Sequence, residues 1–221
     1  MLGSGSKGIT MRTNFFVLGR TRSQRDLLNA LISLGFEKDI SHISVTELCR
    51  RSSINRTTFY KHYESIFHFI SCITNEFLDD MTKALDSENP YADLISCDQP
   101  ERIFWDMAEY MSGGNADFLR LMLSKHGSSS FEDQLKNIWV RQIERAFKPY
   151  EDATKEPICL DSFASCFASA ILGHLTYHLQ TKTENNHDLI AHEMRVLFYD
   201  GMITSLAKHP VVQPSSALSC C

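Results

Sequence analysis

The stretch from Ser44 to His62 constrains this chain more than any other. Ser44-Val45-Thr46-Glu47 has the form of a capping box, in which the Ser44 hydroxyl accepts from the Glu47 amide and the Glu47 carboxylate reaches back. It predicts a short helix from Val45 to Arg51. Asn55 is a good N-cap for a second short helix through His62 or Tyr63. Only Ser52-Ser53-Ile54 lies between them. The apolar residues form a tripod: Val45 and Leu48 in the first helix, Ile54 in the turn and Phe59 in the second, backed by Leu27, Leu31 and Leu34. Two helices on such a link form a helix-turn-helix, whose second member fits the major groove of duplex DNA. The outward residues suit that task. Arg56, Thr57 and Lys61 can reach base edges or phosphates, Thr58 and Tyr60 offer hydroxyls, and His62 offers a ring N–H. A well-capped helix with a solvated face would show the same spacing, so charge is the next test.

Residues 1–70 hold ten basic and five acidic side chains, whereas the other 151 residues hold 12 and 22. The formal charge of −5 is thus a +5 head joined to a −10 body. Screening makes such fields local beyond roughly 8–10 Å, so a basic head attracts polyanions whatever the total charge. Chance segregation of solvated charge gives the same arithmetic, and the motif has to decide.

Elsewhere the pattern is helical, with no sustained period-2 alternation. Leu27, Leu28, Leu31 and Leu34 predict a first helix from about Ser23 that stops at Gly35. Ser65 starts a long helix that ends before Pro90. Asp98-Gln-Pro-Glu101 is another capping box, for a helix to Met111. Further helices are expected over Asn115–Ser124, Ser130–Phe147, Pro157–Gln180 and His187–Lys208. The expectation is an all-α chain of about nine helices: a flexible leader (1–19), a three-helix DNA-binding domain (20–64), a helical regulatory and dimerisation domain (65–209) and a disordered tail (210–221).

The seven cysteines show no CxxC or zinc-finger spacing; Cys49, Cys72, Cys97, Cys159 and Cys166 sit in apolar surroundings, as buried thiols do in a reducing compartment, while Cys220 and Cys221 are expected exposed in the polar tail. Ser162–Thr181 has no formal charge over a membrane-span length, but its Ser, Thr, His and Gln content suits burial in protein. A cytoplasmic protein with no membrane partner is expected.

The run ISVTELCRRSSINRTTFYKHYESIFHFI resembles the N-terminal domain of the tetracycline-repressor-like (TetR/AcrR) family of transcription regulators. The resemblance rests on Val45-Thr46, Leu48, Ser52-Ser53-Ile54, Thr58-Phe59-Tyr60-Lys61-His62-Tyr63 and Phe69. It implies a phosphate contact for Thr46, base reading by Asn55, Arg56, Thr57 and Thr58, and phosphate contacts for Tyr60 and His62, with Arg22 and Lys61 adding to the DNA-binding set. Two positions depart from the pattern. Ser53 stands where members usually have Gly, and Ile66 where they usually have a Lys that meets phosphate.

One such head touches few base pairs, so two copies of the chain are needed on a near-palindromic operator. The predicted homodimer interface uses Ile171, His174, Leu175, His178, Ile190, Met194, Leu197 and Phe198. A pocket for a small-molecule effector is expected at Phe104, Met107, Met111, Phe118, Met122, Trp139, Phe163 and Phe167, with Trp105 also near. His174 and His178 are spaced i, i+4, which can chelate zinc, but the third ligand would have to be a residue such as Cys166 or His126. Interface or core histidines are the expectation, with no metal and no cofactor. No GxSxG, P-loop or HExxH occurs, so an enzyme is not expected. The implied function is a ligand-responsive regulator, a repressor released by its effector. The alternatives are a helical adaptor without DNA binding or a zinc-responsive regulator.

Overall fold

The computed structural model describes residues 20–87, 100–112, 114–148, 158–203 and 211–212. Among them are nine α-helices: α1 (Arg22–Glu37), α2 (Val45–Ser52), α3 (Arg56–Tyr60), α4 (Ile66–Ser87), α5 (Pro100–Ser112), α6 (Ala116–Met122), α7 (Ser129–Phe147), α8 (Leu160–Thr181) and α9 (His187–Met194). The chain is all-α, as its periodicity requires. One short 3₁₀ turn, Ile40–His42, links α1 to α2. The expected leader, the Asp98 cap and residues 204–210 lie outside the described residues.

Three elements depart from these expectations. Gly35 does not stop α1. It is buried inside the helix, where an added Cβ would meet the Leu121 side chain at 2.5 Å, and the helix runs on to Glu37. The ninth helix is α-helical only to Met194 and continues as a π-helix over Arg195–Ile203. In the segment expected to be a disordered tail, Val211 and Val212 pair in parallel with Ile158 and Cys159; β-branched Val suits that extended state.

The head is α1 to α3, built on the tripod. Leu27, Leu31, Leu34, Leu48 and Phe59 are buried, with Val45 and Ile54 partly so. α4 then runs without a break from under the head into the body. Phe69, near its start, packs edge-on against Phe59 and Tyr63, with ring centroids 5.9 and 4.8 Å apart. Further along, Phe77 joins Phe118 and Phe131 in an aromatic cluster at 5.4 and 5.8 Å. Three further contacts fasten the head to the body. They are the seat of α1 on α6, a hydrogen bond from the Ile40 N–H to the His126 carbonyl at 3.0 Å, and the buried Arg20 guanidinium on Glu76 of α4. In the body α8 packs along α7 while α9 lies on α5. Among the described residues no helix is long and apolar enough to cross a membrane.

Candidate functional site

The turn between α2 and α3 is made as the sequence asks. Ser44 and Glu47 form the full capping box, and Glu47 also accepts from Lys38 Nζ at 2.6 Å. The Lys38 bond first, then the Ser44 amide and hydroxyl, hold the Glu47 carboxyl down to about 2. α2 ends on Ser53, whose φ of 56° and ψ of 27° lie in the left-handed region that favours glycine. The chain therefore adopts the geometry of the missing glycine with a serine. Ile54 N–H then bonds to the Cys49 carbonyl at 3.0 Å, closing the turn. Asn55 caps α3 by accepting from the Thr57 N–H at 2.8 Å.

Phe59, fully buried, fixes how α3 is rolled. Arg56, Thr57, Tyr60, Lys61 and His62 all stand exposed, and Thr58 is half-buried beside them. Arg56 lies over the Tyr60 ring at 5.9 Å. Thr46 is exposed in the first turn of α2, where free amides and the helix dipole favour a phosphate. Arg22 is exposed, with Asp26 only within 4.0 Å. Ile66, at the position of the family's lysine, is buried under the head instead.

Not every cation in the head faces outward. Arg20 is taken by Glu76, Lys38 by Glu47, and Arg51 by Glu37 and Ser33. Among the described residues Arg25, Arg50, Arg56 and Lys61 carry no ion pair, and all four are exposed. Charge counting could not separate these struts from the free cations, because the pairings join different elements.

In the body a narrow apolar pocket, partly open to solvent, lies between α4, α5, α7, α8 and α9. Met107, Met111 and Trp139 line it as expected. Phe104, Phe118, Met122, Phe163 and Phe167 do not. All five are buried in the core, and Phe118, Phe163 and Phe167 stack within aromatic clusters. Trp105 packs edge-on against His187 at 5.2 Å instead. Sequence reading missed Met81 and Leu85 of α4, Tyr110 of α5 and Glu184, which complete the wall. Burial pushes the Tyr110 hydroxyl up to about 12, with Asp80 adding to the shift, so it stays a neutral donor. Glu184 is buried and paired with Arg120, yet its Oε2 has no hydrogen-bond partner.

The expected interface set turns inward. Ile171, His174, Leu175, His178, Ile190 and Met194 line the pocket, and Phe198 is buried against Phe167 and His174. Leu197 alone of the eight is exposed, at 54%. The outer face of α8 carries Ser162, Cys166, Ser169, Gly173 and Tyr177, all exposed, and Leu189, Val196 and Leu197 further along the chain are exposed too. Cys166, expected to be a buried thiol, is thus exposed and free. Neither Cys166 nor His126 joins His174 and His178; the acidic side chain beside them is Glu193.

Residues 98–200 match a TetR-type family model described as transcriptional regulator C-terminal region. No curated protein matches the sequence. Among solved structures, the dihydroxyacetone kinase operon activator DhaS aligns at 16% identity over 79% of this chain and 94% of its own, with a TM-score of 0.45. The TetR family repressor AlkX from Dietzia sp. strain DQ12-45-1b, implicated in biodegradation of n-alkanes, aligns at 12% identity over 78% and 95%, with a TM-score of 0.34. Residues 98–200 are thus a C-terminal region of the TetR type, and the helix-turn-helix of α2 and α3 lies in front of it.

Proposed function

We propose that this chain is a transcriptional regulator of the TetR family, a cytoplasmic repressor that binds a near-palindromic operator as a homodimer and leaves it when a small molecule fills the body pocket. The observation that carries the reading is the roll of α3. Phe59 is buried to 0% exposure, which leaves Arg56, Thr57, Tyr60 and Lys61 on one open face. Asn55 and Thr58 flank that face, and Thr46 and His62 stand where the DNA backbone would pass.

A dimer must hold two such helices about 34–36 Å apart to enter successive major grooves. The seam we assign is the outer face of α8, where Ser162, Ser169 and Gly173 permit close approach, together with the exposed Tyr177, Val196 and Leu197. Coupling runs through α4. Phe69 touches the recognition helix through Phe59, and Met81 and Leu85 stand in the pocket wall about 18–24 Å further along one rigid rod. A molecule that pushes Met81 or Leu85 tilts the rod that carries the head. A coupling of about 1–3 kcal/mol is enough to change operator affinity 5–150-fold. The pocket chemistry selects an apolar effector with a hydrogen-bond donor for Glu184 Oε2.

Selection from random duplex DNA at moderate salt tests the core of this reading. It should recover a two-fold site, and Arg56→Ala should lower affinity for it. Recovery of no palindromic site, with Arg56→Ala changing nothing, would overturn the proposal. A reporter carrying the recovered site upstream of a promoter should be silenced by the protein; activation would reverse the sign of the regulation.

A further inference from the structure

The last two turns of α8 and the end of α9 bring three ligand-type atoms to one point. His174 Nε2 lies 3.0 Å and His178 Nε2 2.8 Å from the same Glu193 Oε2, and the two nitrogens are 3.3 Å apart. A tetrahedral zinc ion with ligands at about 2.0–2.1 Å keeps ligand atoms about 3.3–3.4 Å apart. The observed triangle is within a few tenths of an ångström of that on every edge but the shortest, and a small outward movement of the half-exposed Glu193 opens it fully. Without a cation, two imidazoles that donate to one oxygen would point two N–H groups at each other across 3.3 Å. One metal ion replaces both protons.

The surroundings suit a metal as well. His178 is 2% exposed, and its Nδ1 lies 2.7 Å from Thr183 Oγ1. A proton held on Nδ1 by that hydroxyl leaves the Nε2 lone pair facing Glu193, and such a hydrogen bond on the far nitrogen is what orients metal-binding histidines. Two residues past Glu193 the helix widens from α to π, a change frequent at functional sites.

We propose that His174, His178 and Glu193 hold a zinc ion whose fourth position faces the apolar pocket. Two imidazoles with one carboxylate disfavour calcium and magnesium, which take oxygen ligands. Both histidines belong to the pocket wall, so a water or a donor atom of a molecule in the pocket completes the coordination. The ion ties α8 to α9 whether or not the pocket takes an effector, so the site stands apart from the DNA-release reading.

The test uses full-length protein with Cys166, Cys220 and Cys221 changed to serine, so that thiolates do not compete. Zinc is titrated calorimetrically, and Co²⁺ is followed by its visible absorption. The expected result is one metal per chain with a tetrahedral Co²⁺ spectrum. Glu193→Gln keeps shape and stands half-exposed, and His174→Gln replaces the less buried imidazole; each should weaken binding at least about 10–100-fold while circular dichroism stays unchanged. Less than a tenth of an equivalent bound, or stoichiometric binding that neither substitution weakens, overturns the site.

Discussion

The Cβ that Gly35 lacks would stand 2.5 Å from Leu121 Cδ1, so α1 of the head and α6 of the body meet with no room for a methyl group. Leu121 is completely buried, which limits how far it can retreat. Gly35→Ala should therefore destabilise the chain by about 1–3 kcal/mol through overpacking, despite alanine's better helix propensity. Leu121→Ala alone should cost about 2–5 kcal/mol as a cavity. The double variant should cost clearly less than the sum, because each change makes room for the other. Urea melts of the four proteins measure this, and strict additivity would contradict the contact.

Gly173 presents the opposite situation. A Cβ there meets nothing within 4 Å, so the isolated chain tolerates any side chain. Gly173→Ala should stabilise α8 by roughly 0.5–1 kcal/mol. Gly173→Arg should leave helicity intact and convert the proposed dimer to a monomer in sedimentation velocity. A dimer that survives Gly173→Arg places the seam elsewhere.

Ser53 holds a left-handed conformation that costs a non-glycine residue about 1–2 kcal/mol. Glycine's greater freedom in the unfolded chain offsets part of that gain. Ser53→Gly should raise stability by up to about 1 kcal/mol, with operator binding retained. A loss of stability would mean that the serine side chain contributes to the turn.

Glu47 supplies the pH dependence. Its folded carboxyl, held at about 2, lies below its ordinary value of 4.5. A group depressed in the folded state contributes stability that is present above the unfolded value and disappears as pH falls through the folded one. The difference in melting temperature between the native protein and Glu47→Gln should be constant above about pH 5, shrink from there, and be gone near pH 2. A difference that persists unchanged at pH 2 would assign the effect to packing.

The head was legible in the sequence because its determinants are local. Ser44, Glu47 and Asn55 cap by bonds that span two or three residues, and the tripod follows from helical spacing. The body was legible only as helices. Hydrophobicity marked Ile171, Ile190 and Met194 for a surface between two chains, but each residue already lies against the protein's own pocket. The face left open on α8 is made of Ser, Gly and Tyr, which no apolar count would select. Phe163 and Phe167 failed as pocket residues for a related reason, since large aromatic side chains fill space with one another. Met81 and Leu85 reach the pocket because α4 passes it after leaving the head. Glu193 was missed beside His174 and His178 because 15 residues and a helix reversal separate it from His178.

The internal pairing of Arg20, Lys38 and Arg51 sets how strongly salt should loosen this protein from DNA. Those three cations are tied to Glu76, Glu47 and Glu37, so they displace few counterions when the duplex arrives. Arg22, Arg25, Arg50, Arg56 and Lys61 are left to do so. Each phosphate neutralised on B-DNA contributes about −0.9 to the slope of log affinity against log salt concentration. Five per chain contribute roughly −9 to the slope for a dimer, where the eight basic residues of the described head in each chain would have contributed about −14.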